Sequence, residues 1–229
     1  MRYIIGQWLI IGLLLGIIAL LWEHIVDPLN IHLAFKLWIL VFLSWVVSNI
    51  LLLIVYWLCF ALMTKKEGKL TGYNLALWGI AVTCYDIALS LSSKIFLHRV
   101  TPVPLLKLFG LRTGKNFTLN VHGMIVDPNL VRFGDNCTVG GETIVCAHAV
   151  EGKSVYRKKI IIGNNVEVGA KGVVGPGSVF EDNIIIGAQS FVPKDAHLKA
   201  NAIYVGVPVR PLRQEGKSPG DKAPGKKQT

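Results

Sequence analysis

Six histidines are spread along the 229 residues. His24 and His32 fall between two apolar runs, His98 in a linker, His122 inside a repeat and His197 near a late turn. His148 is placed differently: it closes Glu142-Thr-Ile-Val-Cys-Ala-His148-Ala-Val-Glu151, where a six-residue periodicity stops. An imidazole with an unperturbed pKa of about 6.5 can take a proton near neutral pH. Removing the proton of an attacking hydroxyl or amine is the chemistry such a group would do. Glu151 could orient the ring or raise its basicity, as the acid of a triad does. A structural histidine and a solvated loop acid are the plain readings of the same two residues. The basic run Lys153-Ser-Val-Tyr-Arg-Lys-Lys159 could hold phosphate or simply be a solvated face. The four cysteines have no metal-type spacing and no His-x4-His pair is present, so no metal site is expected. Nor does the cysteine pattern imply a disulfide framework.

The elements that must position these groups fall into two textures. From Thr113 to Val192 an apolar residue recurs every sixth position: Leu119 and Ile125; after a two-residue slip, Phe133, Val139 and Val145; then Ile162, Val168, Val174, Phe180, Ile186 and Val192. Gly, Asn or Asp usually follows, where a chain turning a corner needs unusual backbone angles. Such a period is the signature of a parallel β-helix, whose coils stack because one coil cannot bury its own interior. The period breaks over residues 149–161, just after His148.

The N-terminal third is apolar throughout. Tyr3 to Trp22 and Leu37 to Met63 are uncharged runs, each long enough to cross about 30 Å of hydrocarbon as a helix. The expectation is a transmembrane helical hairpin over 1–63. An interfacial helix and linker should follow over 64–110, with a third span over 73–93 as the alternative. Residues 1–63 carry two basic and two acidic residues, whereas 64–112 carry seven and two. Lysines 65, 66 and 69 after the second run, with Arg2 before the first, predict cytoplasmic ends. The net charge of +10 therefore points to anionic headgroups, and no groove-reading motif accompanies it to suggest nucleic acid. The β-helical domain is expected over 111–213, with a polar, Pro/Gly-rich and disordered tail over 214–229.

Residues 105–213 resemble the left-handed β-helix, hexapeptide-repeat acyltransferases. The lead-in Thr101-Pro through Leu-Phe-Gly-Leu-Arg-Thr-Gly114 and the stretch Asp127-Pro-Asn-Leu-Val-Arg-Phe-Gly-Asp135 look closest to the acyltransferase-like part of ε-poly-lysine-synthetase-type, peptide-synthetase-like proteins. The ending Ile186-Gly-Ala-Gln-Ser-Phe-Val-Pro-Lys-Asp195 with Gly206-Val-Pro-Val-Arg210 is similar to the last coil of acetyl-CoA-dependent members. The resemblance implies a left-handed parallel β-helix and a homotrimer with clefts between neighbours; with the apolar N-terminal third, the expected fold is membrane-anchored all-β. The resemblance also implies an acetyl-CoA donor, with His148 as base. By position it carries CoA contacts onto Gly169, Ala170, Ala188, Ser190, Lys194 and Arg210. Together with the membrane anchor, the expected acceptor is a hydroxyl or amine of a lipid- or glycan-type molecule at the cytoplasmic leaflet. A non-catalytic trimeric scaffold and aminoacyl condensation from a carrier-protein thioester are the competing readings.

Overall fold

The computed structural model describes residues 16–29, 32–95 and 103–214. Most of the first expected span and nearly all of the expected disordered tail lie outside them. The described residues divide into two compact units. One comprises the chain up to Leu111 with Asp127–Leu130 and His148–Lys158; the other comprises Arg112–Val126, Val131–Ala147 and the chain from Lys159 on.

The second unit is a three-faced parallel β-helix. One face stacks β2 (Thr118–Leu119), β5 (Thr138–Val139), β10 (Val166–Val168), β13 (Ile184–Ile186) and β16 (Ala202–Val205) in parallel. The strand β17 (Arg210–Gln214) closes that face antiparallel to β16. The second face stacks β3 (Met124–Val126), β6 (Ile144–Cys146), β11 (Val173–Val174) and β14 (Phe191–Val192). The third stacks β4 (Val131–Phe133), β9 (Ile160–Ile162), β12 (Val179–Phe180) and β15 (His197–Leu198). Every apolar residue of the six-residue period is buried, and the register stacks like on like: Ile125 on Val145 on Val174 on Val192. Each such side chain is worth roughly 1.5–3 kcal/mol when fully buried.

Turning the corner requires left-handed backbone. At one corner it is supplied by Asn116, Asn136, Asn165, Asn183 and Asn201, all with φ between 54° and 58°. Asparagine tolerates this region because its short amide bonds locally. Here the amides also bond one another up the stack, each Nδ2 donating to the next Oδ1 at 2.9–3.1 Å. Glycine is required at Gly169 for a different reason: a Cβ there would stand 2.5 Å from the Ala188 nitrogen in the next coil.

The first unit is helical. An apolar helix α1 (Gly16–Val26) precedes α2 (Leu33–Leu62) and α3 (Gly72–Ile95). The latter two run antiparallel, with Trp45 Nε1 donating to Ser92 Oγ at one end and Asn74 Oδ1 capping the amides of Thr64 and Lys65 at the other. By length and composition, Phe35–Leu62 (mean hydropathy 2.5) and Gly72–Ser92 (1.5) are both able to cross a membrane. Only 11% of α2's apolar window is buried, unlike the core helix of a soluble domain, and Phe35, Trp38 and Phe42 are exposed. The short α4 (Val103–Leu108) follows. Between α2 and α3 the chain forms β1 (Gly68–Leu70). That strand pairs antiparallel with β8 (Ser154–Arg157), which pairs in turn with β7 (His148–Glu151). The expected break in period after His148 is thus a hairpin, turned at Gly152 (φ 59°) and extended by the loop that joins the two apolar helices.

Candidate active site

His148 begins β7, and its Nδ1 meets a buried carboxylate. Nδ1 lies 2.6 Å from Oδ2 of Asp127, whose side chain is 1% exposed. Asp127 occupies a left-handed corner (φ 57°) followed by the 3-10 turn Pro128–Leu130, so the two-residue slip in the period marks a local excursion. Its other oxygen, Oδ1, accepts from Trp78 Nε1 of α3 at 2.7 Å and from Arg157 Nε at 3.2 Å, with Arg157 Nη2 at 3.0 Å. Both oxygens of a buried carboxylate are therefore bonded, as burial demands. Burial pushes the Asp127 carboxyl up, but the His148 hydrogen bond, the Arg157 charge and the Trp78 donor outweigh it and hold it below the ordinary carboxylate range.

Arg157 is fully buried, and each of its three guanidinium nitrogens has a hydrogen-bond acceptor. Beyond Asp127 it donates to the Lys66 carbonyl (2.8 Å) and Asn129 Oδ1 (3.2 Å), and its guanidinium lies 5.0 Å from the Phe60 ring centroid. The Trp78 indole meets the His148 imidazole edge-on at 4.9 Å between centroids. Every group in this cluster belongs to the helical unit. With Oδ2 accepting from Nδ1–H, the basic lone pair lies on Nε2, on a side chain that keeps 18% of its surface exposed.

The expected acid partner of His148 is Glu151. The carboxylate at Nδ1 is Asp127. Glu151 is three residues along the same strand, where alternation turns its side chain to the opposite face of the hairpin, and it is exposed beside the turn. Its carbonyl accepts from Ser154 Oγ. Asp127, Trp78 and Arg157, which the structure gathers around His148, are not among the expected residues. The slip in the period at Asp127-Pro128 was the available signal for the first. Trp78 reads as one more apolar-helix residue and Arg157 as one of a basic run, and neither pattern reveals a buried polar contact.

The residues expected to contact CoA all lie in the β-helix. Ala170 and Ala188 are exposed at one corner of successive coils. Lys194 and Arg210 are exposed, the latter at the start of β17. Ser190 does not fit the expectation: it is 2% exposed and its hydroxyl accepts from the Gly206 amide at 3.1 Å, which ties the last coil together. Gly169 is set by coil spacing, as above. Among the described residues no group of three or more metal-ligating side chains occurs.

No protein-family model matches the chain. Over 108 residues it is 37% identical to the galactoside O-acetyltransferase of Escherichia coli K12, covering 44% of this chain and 52% of that protein. A solved galactoside acetyltransferase in complex with coenzyme A is 28% identical, covering 49% of this chain and 68% of that one, with a TM-score of 0.41. The δ-poly-L-ornithine synthetase of Acinetobacter baumannii is 24% identical over 102 residues, 8% of its length. Over 44% of its length the chain is thus similar in sequence to a galactoside O-acetyltransferase. The expected special closeness to the poly-amino-acid synthetases is not borne out, since identity to the sugar acetyltransferase is higher. The chain spans about half the length of that curated relative.

Proposed function

We propose that the protein is a membrane-anchored acetyltransferase that moves an acetyl group from acetyl-CoA to a hydroxyl or amine of a membrane-associated acceptor, with His148 as general base. The observation that carries this reading is the 2.6 Å contact between His148 Nδ1 and the buried Asp127. It favours the tautomer whose Nε2 accepts a proton. In the reaction the acceptor's O–H or N–H proton passes to Nε2 as its oxygen or nitrogen attacks the thioester carbonyl. Collapse of the tetrahedral adduct breaks the C–S bond, and the departing CoA thiolate takes that proton from the imidazolium. The 37% identity to an O-acetyltransferase supports acetyl transfer. Ala170 and Ala188, small and exposed on adjacent coils, with Lys194 and Arg210, remain the proposed CoA contacts on a coil read as left-handed.

The exposed apolar surface of α2 supports a membrane anchor. The cluster lies at the end of the helix pair nearest its connecting loop: Phe60 is in the last turn of α2, Trp78 in the second turn of α3, and the loop strand β1 pairs with β8. The lysines of that loop favour the cytoplasmic face, so the proposed acceptor is presented from the headgroup region of the inner leaflet. A homotrimer is supported by an outward apolar ladder, Met124–Ile144–Val173–Phe191, running up the second face of the coil. Incubating the detergent-solubilised full chain with radiolabelled acetyl-CoA and total membrane lipid tests the reading. A labelled lipid or lipid-linked product supports it, and no transfer to any lipid or glycan fraction contradicts it.

A further inference from the structure

His148 and Arg157 are cross-strand partners in the β7–β8 ladder, and both engage Asp127. A buried carboxylate demands a counter-charge. A histidine that supplied it would be held as imidazolium and could not accept a proton. We propose that Arg157, assisted by Trp78, is the positioning group that supplies this charge instead, so that His148 stays neutral and available as a base. This proposal rests on the reading of His148 given above.

The division of the carboxylate supports it. Arg157 and Trp78 both donate to Oδ1, and His148 meets Oδ2. Asp127 and Arg157, 1% and 0% exposed, form a neutral pair that water does not screen. The cation also stands opposite His148 across the ladder and disfavours a second positive charge there. Other ionisable groups that act on the cluster include Asp86 and Tyr85 of α3 and Tyr56 of α2, which interact electrostatically with Asp127; Asp86 also interacts with His148. They are common to all the variants below. One consequence is that the apolar helices do more than tether: α3 contributes a donor to the carboxylate that orients the base.

The test follows the protonation of His148 directly, apart from turnover. The full chain is labelled with 15N-histidine in detergent micelles, and the His148 imidazole signals are assigned with H148N and titrated by NMR. R157Q removes the charge but keeps an amide donor for Asp127; R157K keeps the charge; W78F keeps the ring and removes its N–H. R157Q should raise the proton affinity of His148 about tenfold or more, the size expected for a charge within about 4–6 Å. R157K should lie near wild type, and W78F should move in the same direction as R157Q by less. The acid limb of kcat/KM should move with each midpoint. Should R157Q fail to fold, W78F and R157K decide the matter: an unchanged W78F midpoint, or an R157K midpoint well above wild type, overturns the proposal. Activity surviving in H148N would defeat the reading of the base and leave the titration result standing by itself.

Discussion

Asp127 and His148 are 21 residues apart in sequence and 2.6 Å apart in the structure, joined through Oδ2 and Nδ1. Because Oδ1 is already taken by the donors of Arg157 and Trp78, the two ends of the carboxylate are not interchangeable. That asymmetry makes Asp127→Asn informative. The amide oxygen must face Arg157 and Trp78, which turns its NH2 toward His148. The ring would then accept at Nδ1 and carry its proton on Nε2, the wrong tautomer for a base. Turnover should fall by about 10²–10⁴-fold, the range of general acid–base catalysis, with thioester affinity little changed. Steady-state kinetics beside a CoA-binding isotherm would check this, and unchanged turnover would count against the pairing.

The same carboxyl predicts how stability responds to acid. Its folded-state pKa is depressed, with burial opposed and outweighed by His148, Arg157 and Trp78. Its contribution is fully present above the unfolded value of about 3.9 and is lost as pH falls through the folded value. Asp127→Asn leaves Arg157 buried without its partner and should cost about 3–5 kcal/mol near neutral pH. Thermal melts of both proteins from pH 6 downward should show the gap closing as the wild-type carboxylate protonates. A constant gap would mean that its charge is not what stabilises the unit.

The β-helix was largely legible in the sequence because its period is enforced by burial: each of Leu119, Ile125, Phe133, Val139 and their successors must face inward. His148 was legible because the hairpin interrupts that period. Its partners were not. Asp127 lies where the chain leaves the coil for three residues, and what it meets comes from Trp78 and Arg157, 49 residues before and 30 residues after it. Nothing in local pattern encodes such long-range contacts. The expected pairing with Glu151 differs from the observed Asp127 contact for a local reason, since an odd spacing along a strand places two side chains on opposite faces. The helix expected to lie in the interface over 73–93 extends over Gly72–Ile95, long enough to be the alternative third crossing.

The outward ladder Met124–Ile144–Val173–Phe191 should be the seam of the trimer. Ile144→Glu puts a charge at its middle without touching the inward Val145. Light scattering of the detergent-solubilised protein should give three chains for the wild type and one for the variant. A monodisperse wild-type monomer that still transfers acetyl groups would contradict the seam.

Lys153 lies at the tip of the β7–β8 hairpin and is exposed. In a background with the native cysteines replaced, Lys153→Cys should resist a membrane-impermeant thiol reagent in intact cells and react after lysis. Reaction in intact cells would put the site and its acceptor on the outer side.

His148→Ala in the full chain tests most directly whether His148 takes the acceptor's proton. Transfer of radiolabelled acetyl to lipid should drop by about 10²–10⁴-fold while CoA binding and the oligomer persist. His122→Asn is the matched control: it removes an imidazole from a left-handed corner (φ 58°) of the coil and substitutes a residue that tolerates that corner, so transfer should be unchanged. Full transfer by His148→Ala, or an equal loss in both variants, would contradict the account.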